Sequence, residues 1–480
     1  MKISSFATYA GGFATLAGLY LLLNDQDTNA TYSGIWLLPF TFVLIVLVMS
    51  GARKFCSAQF GFTFAFLATL FFVRLVVTPL TIHFAGPDYR ALSYLSVTPS
   101  EMFNAIILIS WEAIAAALFF FMAAGAIASM RPVAEPAGQQ MALQGSKIVY
   151  GAVALVGVAL IITFGIPRGL LNFGSIGAEG IADERTSIDM LLIQVMIAGA
   201  WLMYLLTLRR QALRYRRHRA RMPFVIGLAA GMLLLTLIFG DRRSIQIYTA
   251  IAVATTLFAA FPDRKRAIVF YIATSAVIVI ATISFWRMFA RHDIDLTTAT
   301  LLGQSFMSTM ATALQSYIGG PYQVAAANGV LFSEGVGLEN VFFDFLRSTF
   351  VVNFFVDDRR MLTSEIMNAN IYNGNFLTGW LVFTTSYGAT TLGAIFMPLF
   401  LIMNISLAMV CERVFRHAHG LEVRFLFVYL FARMAFFPFT APPLLLSFFS
   451  LQLFTVGLIF YAAILVKSLD QSFVKTVRTP

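Results

Sequence analysis

The amino-acid sequence predicts an all-α polytopic integral membrane protein with about twelve transmembrane helices and one large extracytoplasmic loop. Three observations carry that reading. Of 480 residues, 59% are hydrophobic and 12% charged, against roughly 25% charged in a soluble domain. The apolar residues come in runs of about 20, the length a helix needs to cross a bilayer core. The loops between runs alternate in charge, and basic loops mark the cytoplasmic side. The net charge of +10 therefore reports topology and does not call for nucleic acid.

The runs fall near 6–23, 32–50, 60–82, 102–128, 148–164, 188–208, 223–240, 244–261, 267–287, 377–411, 425–440 and 443–466. The first has no convincing cleavage site after it, so it is read as a retained helix. Every even loop is basic: Arg53 and Lys54; Arg131 and Lys147; seven arginines from Arg209 to Arg221; Arg264, Lys265 and Arg266; Arg413, Arg416 and Arg424. Both termini and the even loops are thus expected inside. Cys56 and Cys411 fall at expected cytoplasmic helix ends, and no zinc or iron–sulfur spacing exists. The chain divides into nine helices over 1–287, a large outer loop over 288–376, and three helices with a cytoplasmic tail over 377–480. Within the loop, Asn340, Asp344 and Arg347 recur at i, i+4 and i+7 in an otherwise apolar stretch. That spacing predicts an amphipathic helix over 338–355, lying on the outer membrane surface.

Sorting bases by side exposes an asymmetry. All six lysines fall inside, and the bases outside or in outer membrane halves are all arginine. Arginine grips phosphate oxygens with a planar fork that lysine lacks. Arg74 (in FVRLVVTPL) and Arg433 (in LFARMAFF) lie inside apolar runs, where a charge is costly and marks a site or pathway. Asp241, Arg242 and Arg243 are squeezed into a short outer turn, and these arginines are expected to face one cavity with Arg74 and Arg433. The large loop adds Arg347 and the run Asp357-Asp358-Arg359-Arg360. It also contains SYIGGPYQVA, where Tyr317 and Tyr322 flank a Gly-Gly-Pro turn. Aromatic faces beside turns suit sugar rings, and tyrosines also anchor at membrane interfaces. IYNGNF adds Tyr372, Asn373 and Asn375, whose amides bond hydroxyls or cap a helix.

These motifs resemble the Wzy-type O-antigen and oligosaccharide repeat-unit polymerases of bacteria. The features that carry the resemblance are Gly-Asp-Arg-Arg-Ser at an outer helix junction, Tyr-Ile-Gly-Gly-Pro in the large loop, and Asn-Gly-Asn-Phe-Leu-Thr-Gly before a glycine-containing span. The resemblance covers most of the chain by layout, and each motif is short. One family pattern, an arginine with a glycine eleven residues on in two outer loops, is missing: Arg168 and Arg291 each have theirs twelve on, at Gly180 and Gly303.

The resemblance implies a glycosyltransferase of the bacterial inner membrane whose active site faces the periplasm. Such an enzyme transfers a growing glycan from undecaprenyl diphosphate to a new lipid-linked repeat unit, without a nucleotide sugar. Its partners would be those lipid-linked oligosaccharides, membrane lipid, a chain-length regulator and a flippase. The chemistry asks for cations on the leaving diphosphate and a carboxylate for the acceptor's proton. The arginines offered are Arg74, Arg242, Arg243, Arg347, Arg360 and Arg433. The candidate bases are Asp241, Asp344, Asp357, Asp358 and Glu365. In the large outer loop the one Asp-x-Asp is the weak Asp293-Ile294-Asp295, so a metal-independent reaction with no cofactor is expected. Two other readings use the same layout. An O-antigen ligase would want a histidine outside, where His83 and His292 are expected. A flippase or other transporter would want more charges within helices than Arg74 and Arg433.

Overall fold

The computed structural model describes residues 3–89, 95–128, 142–163, 187–236, 243–275, 306–356, 360–371, 382–418 and 420–478. Among the described residues the protein is all-α; the β structure consists of two isolated bridges, Ala142 with Gly420 and Phe383 with Thr440. Helix occurs in each of the twelve apolar runs. Among the described residues, five helices are long and apolar enough to cross a membrane: Ala30–Val48, Gly61–Phe84, Pro99–Ala123, Gly393–His417 and Pro442–Asp470. Shorter apolar helices cover Tyr9–Leu23, Lys147–Thr163, Arg221–Leu235 and Ile247–Ala260. Large apolar side chains stand on the surface, as lipid contact requires: Tyr9, Leu16 and Leu23 of the first helix are 72%, 68% and 82% exposed.

The chain forms two compact units, Met1–Pro132 with Ile294–Met409 and Met434–Ser447, and Val133–Asp293 with Val410–Arg433 and Phe448–Pro480. In the first unit, α1 (Ile3–Leu23), α2 (Leu37–Gln59) and α5 (Pro99–Ala128) pack side by side, α2 in the middle. Thr98 and Glu101 cap α5 reciprocally, and Pro99 sits where a missing N–H costs nothing. The third span is α3 (Gly61–Phe72) and α4 (Thr78–Phe84), joined by a π turn over Val73–Val77. Pro79 causes the widening: it has no N–H for the carbonyl four residues back. The Thr78 N–H and hydroxyl both donate to the Val73 carbonyl, closing the π turn.

The segment expected as a loop is itself helical. α10 (Phe306–Ile318) packs on α4, and α11 (Pro321–Ser333) packs on α5. The Gly319-Gly320-Pro321 turn between them needs glycine, since Gly319 has φ +69 and a Cβ there would meet the Phe383 ring at 2.6 Å. α12 (Leu338–Ser348) and α13 (Thr363–Ile371) follow.

Two expectations are corrected here. The surface helix predicted over 338–355 ends at Ser348, and Val351 has φ 78 before a 3-10 turn over Val352–Phe355. The β-branched run Thr349, Val351 and Val352 favours helix weakly. Second, the run 377–411 is not one span. Val382 and Phe383 are extended, α14 (Thr384–Thr391) is a separate helix buried on all sides, and Gly393 (φ +78) opens the long apolar stretch. That stretch comprises α15 (Gly393–Phe396) and α16 (Pro398–His417), and α17 (Leu421–Phe436) and α18 (Pro442–Arg478) complete the chain.

In the second unit, α6 (Lys147–Leu160) and α7 (Ser187–His218) cross at Gly157 and Gly199. A Cβ on either would lie 2.6 Å from the other's Cα. Small residues let two backbones approach this closely in a membrane. α8 (Arg221–Thr236) packs on α7 and on α9 (Arg243–Ala260). Trp201 of α7 meets Phe425 and Tyr429 at 5.1 and 4.6 Å between ring centroids. Gly199→Ala is expected to lower thermal stability by roughly 1–3 kcal/mol, the usual cost of overpacking. Melting the purified protein in detergent measures it, and Gly151→Ala on open helix surface is the control, because nothing lies within 4 Å of a Cβ there.

Candidate functional site

The described site belongs to the first unit and is organised by α14. Eight residues long and fully buried, this helix presents alternate side chains to two polar clusters. Thr385 reaches a charge pair between membrane spans. Tyr387 reaches a carboxylate on α12.

The charge pair is Arg74 with Glu112, both side chains 0% exposed. Arg74 sits in the π turn, and its guanidinium is used in three directions. Nε donates to the Gly319 carbonyl (3.0 Å), Nη1 to Glu112 Oε2 (2.9 Å) and Nη2 to Thr385 Oγ1 (2.8 Å). The Thr385 hydroxyl donates to the same carboxylate oxygen at 2.5 Å. The Phe439 ring covers the guanidinium at 4.3 Å. The expectation that Arg74 faces a cavity is corrected, since its nitrogens are buried and serve the protein. A charge this deep persists because its partner and hydrogen bonds offset its desolvation. Beside it, buried Gln315 donates to the hydroxyls of Tyr32 (3.2 Å) and Tyr89 (3.1 Å) and accepts from the Tyr322 N–H (2.9 Å).

The second cluster lies on α12 and α13. Asp344 is 2% exposed. It accepts from the Thr363 N–H (3.2 Å) and from the Tyr387 hydroxyl (2.9 Å). Burial raises its pKa above the ordinary carboxylate value, while the hydrogen bonds from Thr363 and Tyr387 pull the other way. A cavity of about 20 Å³ adjoins it, walled by Ser348, Thr363, Ser364 and Tyr387 on the polar side and by Val382 and Leu444 among others. That volume admits one water-sized group. The stripe Asn340–Asp344 is thus turned inward, while Leu338 (64%) and Phe342 (70%) are exposed.

On the rim, Arg347 Nη1 donates to the Arg360 carbonyl (2.6 Å) and to Glu365 Oε2 (3.0 Å). The same Glu365 oxygen accepts from the Leu362 N–H (2.7 Å), which caps α13. Arg360 Nη2 donates to Glu339 (2.9 Å) and its guanidinium covers the Phe343 ring at 5.1 Å. So three residues picked from sequence, Arg347, Arg360 and Glu365, come together.

The other candidates are placed as follows. Tyr322 is buried and its hydroxyl donates to the Leu95 carbonyl (2.7 Å). Tyr317 is 62% exposed. His83 is buried, with Nδ1 2.7 Å from the Thr28 hydroxyl. In the second unit, Arg433 donates to the Tyr248 hydroxyl (2.7 Å) and lies over the Tyr248 and Phe448 rings. Arg243 opens α9; its side chain, with Asp241, Arg242, His292, Asp357, Asp358, Arg359, Tyr372, Asn373 and Asn375, lies outside the described residues. Sequence reasoning did not single out Glu112, Thr385 or Tyr387. A signal for Glu112 exists, as a carboxylate in the middle of an apolar run.

Compared with known families, curated proteins and solved structures, the chain matches no family model, no curated protein and no solved structure.

Two outcomes are expected. Arg74→Met strands Glu112 in the protein interior and should cost roughly 3–5 kcal/mol, whereas Arg74→Met with Glu112→Leu should recover much of that loss; thermal melts of the three proteins check it. For Asp344, the raised pKa makes the folded chain hold a proton that the unfolded chain has released. Its stabilising contribution is complete below the ordinary carboxylate value and is lost as pH rises through the raised one. Asp344→Asn should therefore flatten the stability profile over that window, as melts across a pH series would show.

Proposed function

We propose that this chain is a polysaccharide polymerase of the Wzy type. It would act at the outer face of a bacterial inner membrane with about twelve spans and both termini inside. The observation that supports this most is the convergence of Arg347, Arg360, Glu365 and Asp344 on α12, α13 and the chain between them. It joins cations at a rim to a buried carboxylate, the two elements glycosyl transfer from a lipid diphosphate needs.

In this reading a hydroxyl of the incoming repeat unit attacks the anomeric carbon of the growing chain. A carbon–oxygen bond forms, the anomeric carbon–oxygen bond to the diphosphate breaks, and the diphosphate leaves with the electron pair. The hydroxyl proton goes to a carboxylate. Among the described carboxylates of the cluster, Asp344 suits that task better than Glu365. Glu365 is tied to Arg347 and caps its own helix. Asp344 adjoins a cavity sized for a single hydroxyl and has a raised proton affinity. Arg347 and Arg360 are 20% and 42% exposed at their side chains, so both can reach a diphosphate at the rim. An apolar groove of about 370 Å³ beside the third span, lined by Phe13, Phe72, Leu80, Phe84, Met307 and Met310, fits a lipid tail. Arg74 takes the role of positioning residue, holding α14 and through it Tyr387.

The test is complementation of a strain deleted for this gene, read as the ladder of surface polysaccharide. Wild type should restore long chains. Arg347→Lys and Arg360→Lys keep the charge and lose the fork; at equal abundance they should shift product from long chains toward single repeats. Asp344→Asn should leave single repeats. A null strain that accumulates free polymer, or repeat units facing the cytoplasm, would overturn the reading in favour of a ligase or a flippase.

A further inference from the structure

The other unit carries a surface that the transfer reaction does not use. Helix α7 does not stop where its apolar run ends near residue 208. It continues as a regular helix through Arg209, Arg210, Arg214, Arg216 and Arg217 to His218. Arg219 then closes it in the left-handed region at φ 47, donating its N–H to the Tyr215 carbonyl at 2.7 Å. The extension is fixed from beneath. Leu208, Gln211, Ala212 and Tyr215 are buried, and the Tyr215 ring stands edge-on to Phe261 at 5.1 Å. Phe261 begins the segment that carries Arg264, Lys265 and Arg266, so a second basic stretch is held against the first. Phe224 of α8 packs on the same ring at 5.4 Å.

Arg210, Arg214 and Arg217 lie at i, i+4 and i+7 on one exposed face. Two turns earlier that face exposes Met203 (44%), and Leu213 within the stripe is 46% exposed. Reading along the helix, an exposed apolar surface gives way to an exposed cationic one. Like charges three or four apart disfavour a helix by about 0.2–0.5 kcal/mol per pair. Among the described residues none of these side chains has a carboxylate partner, whereas Arg416 in the same unit has Glu412. Asp263 is the one acidic residue of the segments 209–221 and 261–266, which together hold ten arginines and lysines. Orientation in the membrane needs positive charge alone, and lysine would serve. An ordered arginine stripe at the hydrocarbon boundary has a further use.

We propose that the Arg210–Arg214–Arg217 face of α7, with Arg264 to Arg266 beside it, binds the phosphodiester of an anionic phospholipid in the adjoining leaflet. The arginine forks would share the phosphate oxygens in bidentate hydrogen bonds. Met203 would lie along the acyl chains, and Leu213 would pack among the headgroups' glycerol carbons. The exposed aliphatic groups among the cations select a lipid over a soluble polyanion.

The full-length protein in nanodiscs tests this. Discs of phosphatidylcholine alone are compared with discs that also contain phosphatidylglycerol, and the readouts are the melting temperature and the lipid retained on mild extraction. Inorganic phosphate added to the phosphatidylcholine discs is the third arm. Phosphatidylglycerol should raise the melting temperature of the wild type and be retained by it. Arg210→Lys, Arg214→Lys and Arg217→Lys together preserve charge and membrane orientation, and should lose most of the shift and of the retained lipid. Should that triple variant not accumulate, Arg214→Gln alone should show a smaller loss of both. Equal shifts in wild type and Lys variant would reduce the stripe to a topological charge. A shift produced equally by inorganic phosphate would make it a site for a soluble anion. No shift with phosphatidylglycerol would end the proposal.

Discussion

Much of the first unit depends on one buried ion pair. Arg74 and Glu112 are each 0% exposed, in helices apolar enough to span a membrane. Neither charge is tolerable there alone. Their pairing dictates the surroundings. The π turn before Pro79 sets the register that turns Arg74 inward. Gly319 must be glycine so that its carbonyl can come up beneath Nε while Phe383 passes close by. Thr385 must sit on a helix buried on all sides to reach both members of the pair. That requirement places α14, and α14 places Tyr387 against Asp344.

The sequence made the materials of this arrangement visible and hid their connections. Arg74 stood out because a charge in an apolar run is expensive. Its partners could not be read, since they lie 38, 245 and 311 residues away, and no local period reports such pairings. The run over 377–411 looked like one span because hydropathy averages over TTSYGATT, in which the Thr390 and Thr391 hydroxyls donate to carbonyls one turn back. The α12 stripe shows a different limit. Periodicity identified the amphipathic helix, but it does not say which face meets protein. With Asp344 and Asn340 anchored inside, the exposed side is the one bearing Leu338 and Phe342. Arg347, Arg360 and Glu365 were readable as charges in a long segment between apolar runs. Their mutual contacts depend on the turn at Val351 bringing the chain back along α12, and that turn carries no recognised motif.

The two polar clusters differ in a way that matters for chemistry. The membrane pair is buried, and Nε, Nη1 and Nη2 of its guanidinium each donate to the protein. The cluster on α12 and α13 is graded from a buried acid to half-exposed arginines. Such a gradient keeps a carboxylate in low dielectric while leaving cations accessible at the surface. A single helix of eight residues connects them, so the tolerance for sequence change in TTSYGATT should be narrower than its modest apolarity implies.

The discontinuity of the first unit has a consequence for biogenesis. Residues 133–293 belong to the other unit, so the ribosome delivers that entire stretch before the turn at Gly319 or the hydroxyl of Thr385 exists. Arg74 and Glu112 emerge close together and can neutralise each other as their helices insert. Nε and Nη2 of Arg74, however, must wait for partners synthesised more than two hundred residues later. During that interval the nascent protein carries an incompletely hydrogen-bonded guanidinium in the apolar helix Gly61–Phe84. Translation of the C-terminal third is therefore the step that completes the N-terminal helices, and premature termination after residue 293 would leave them exposed to quality-control proteases.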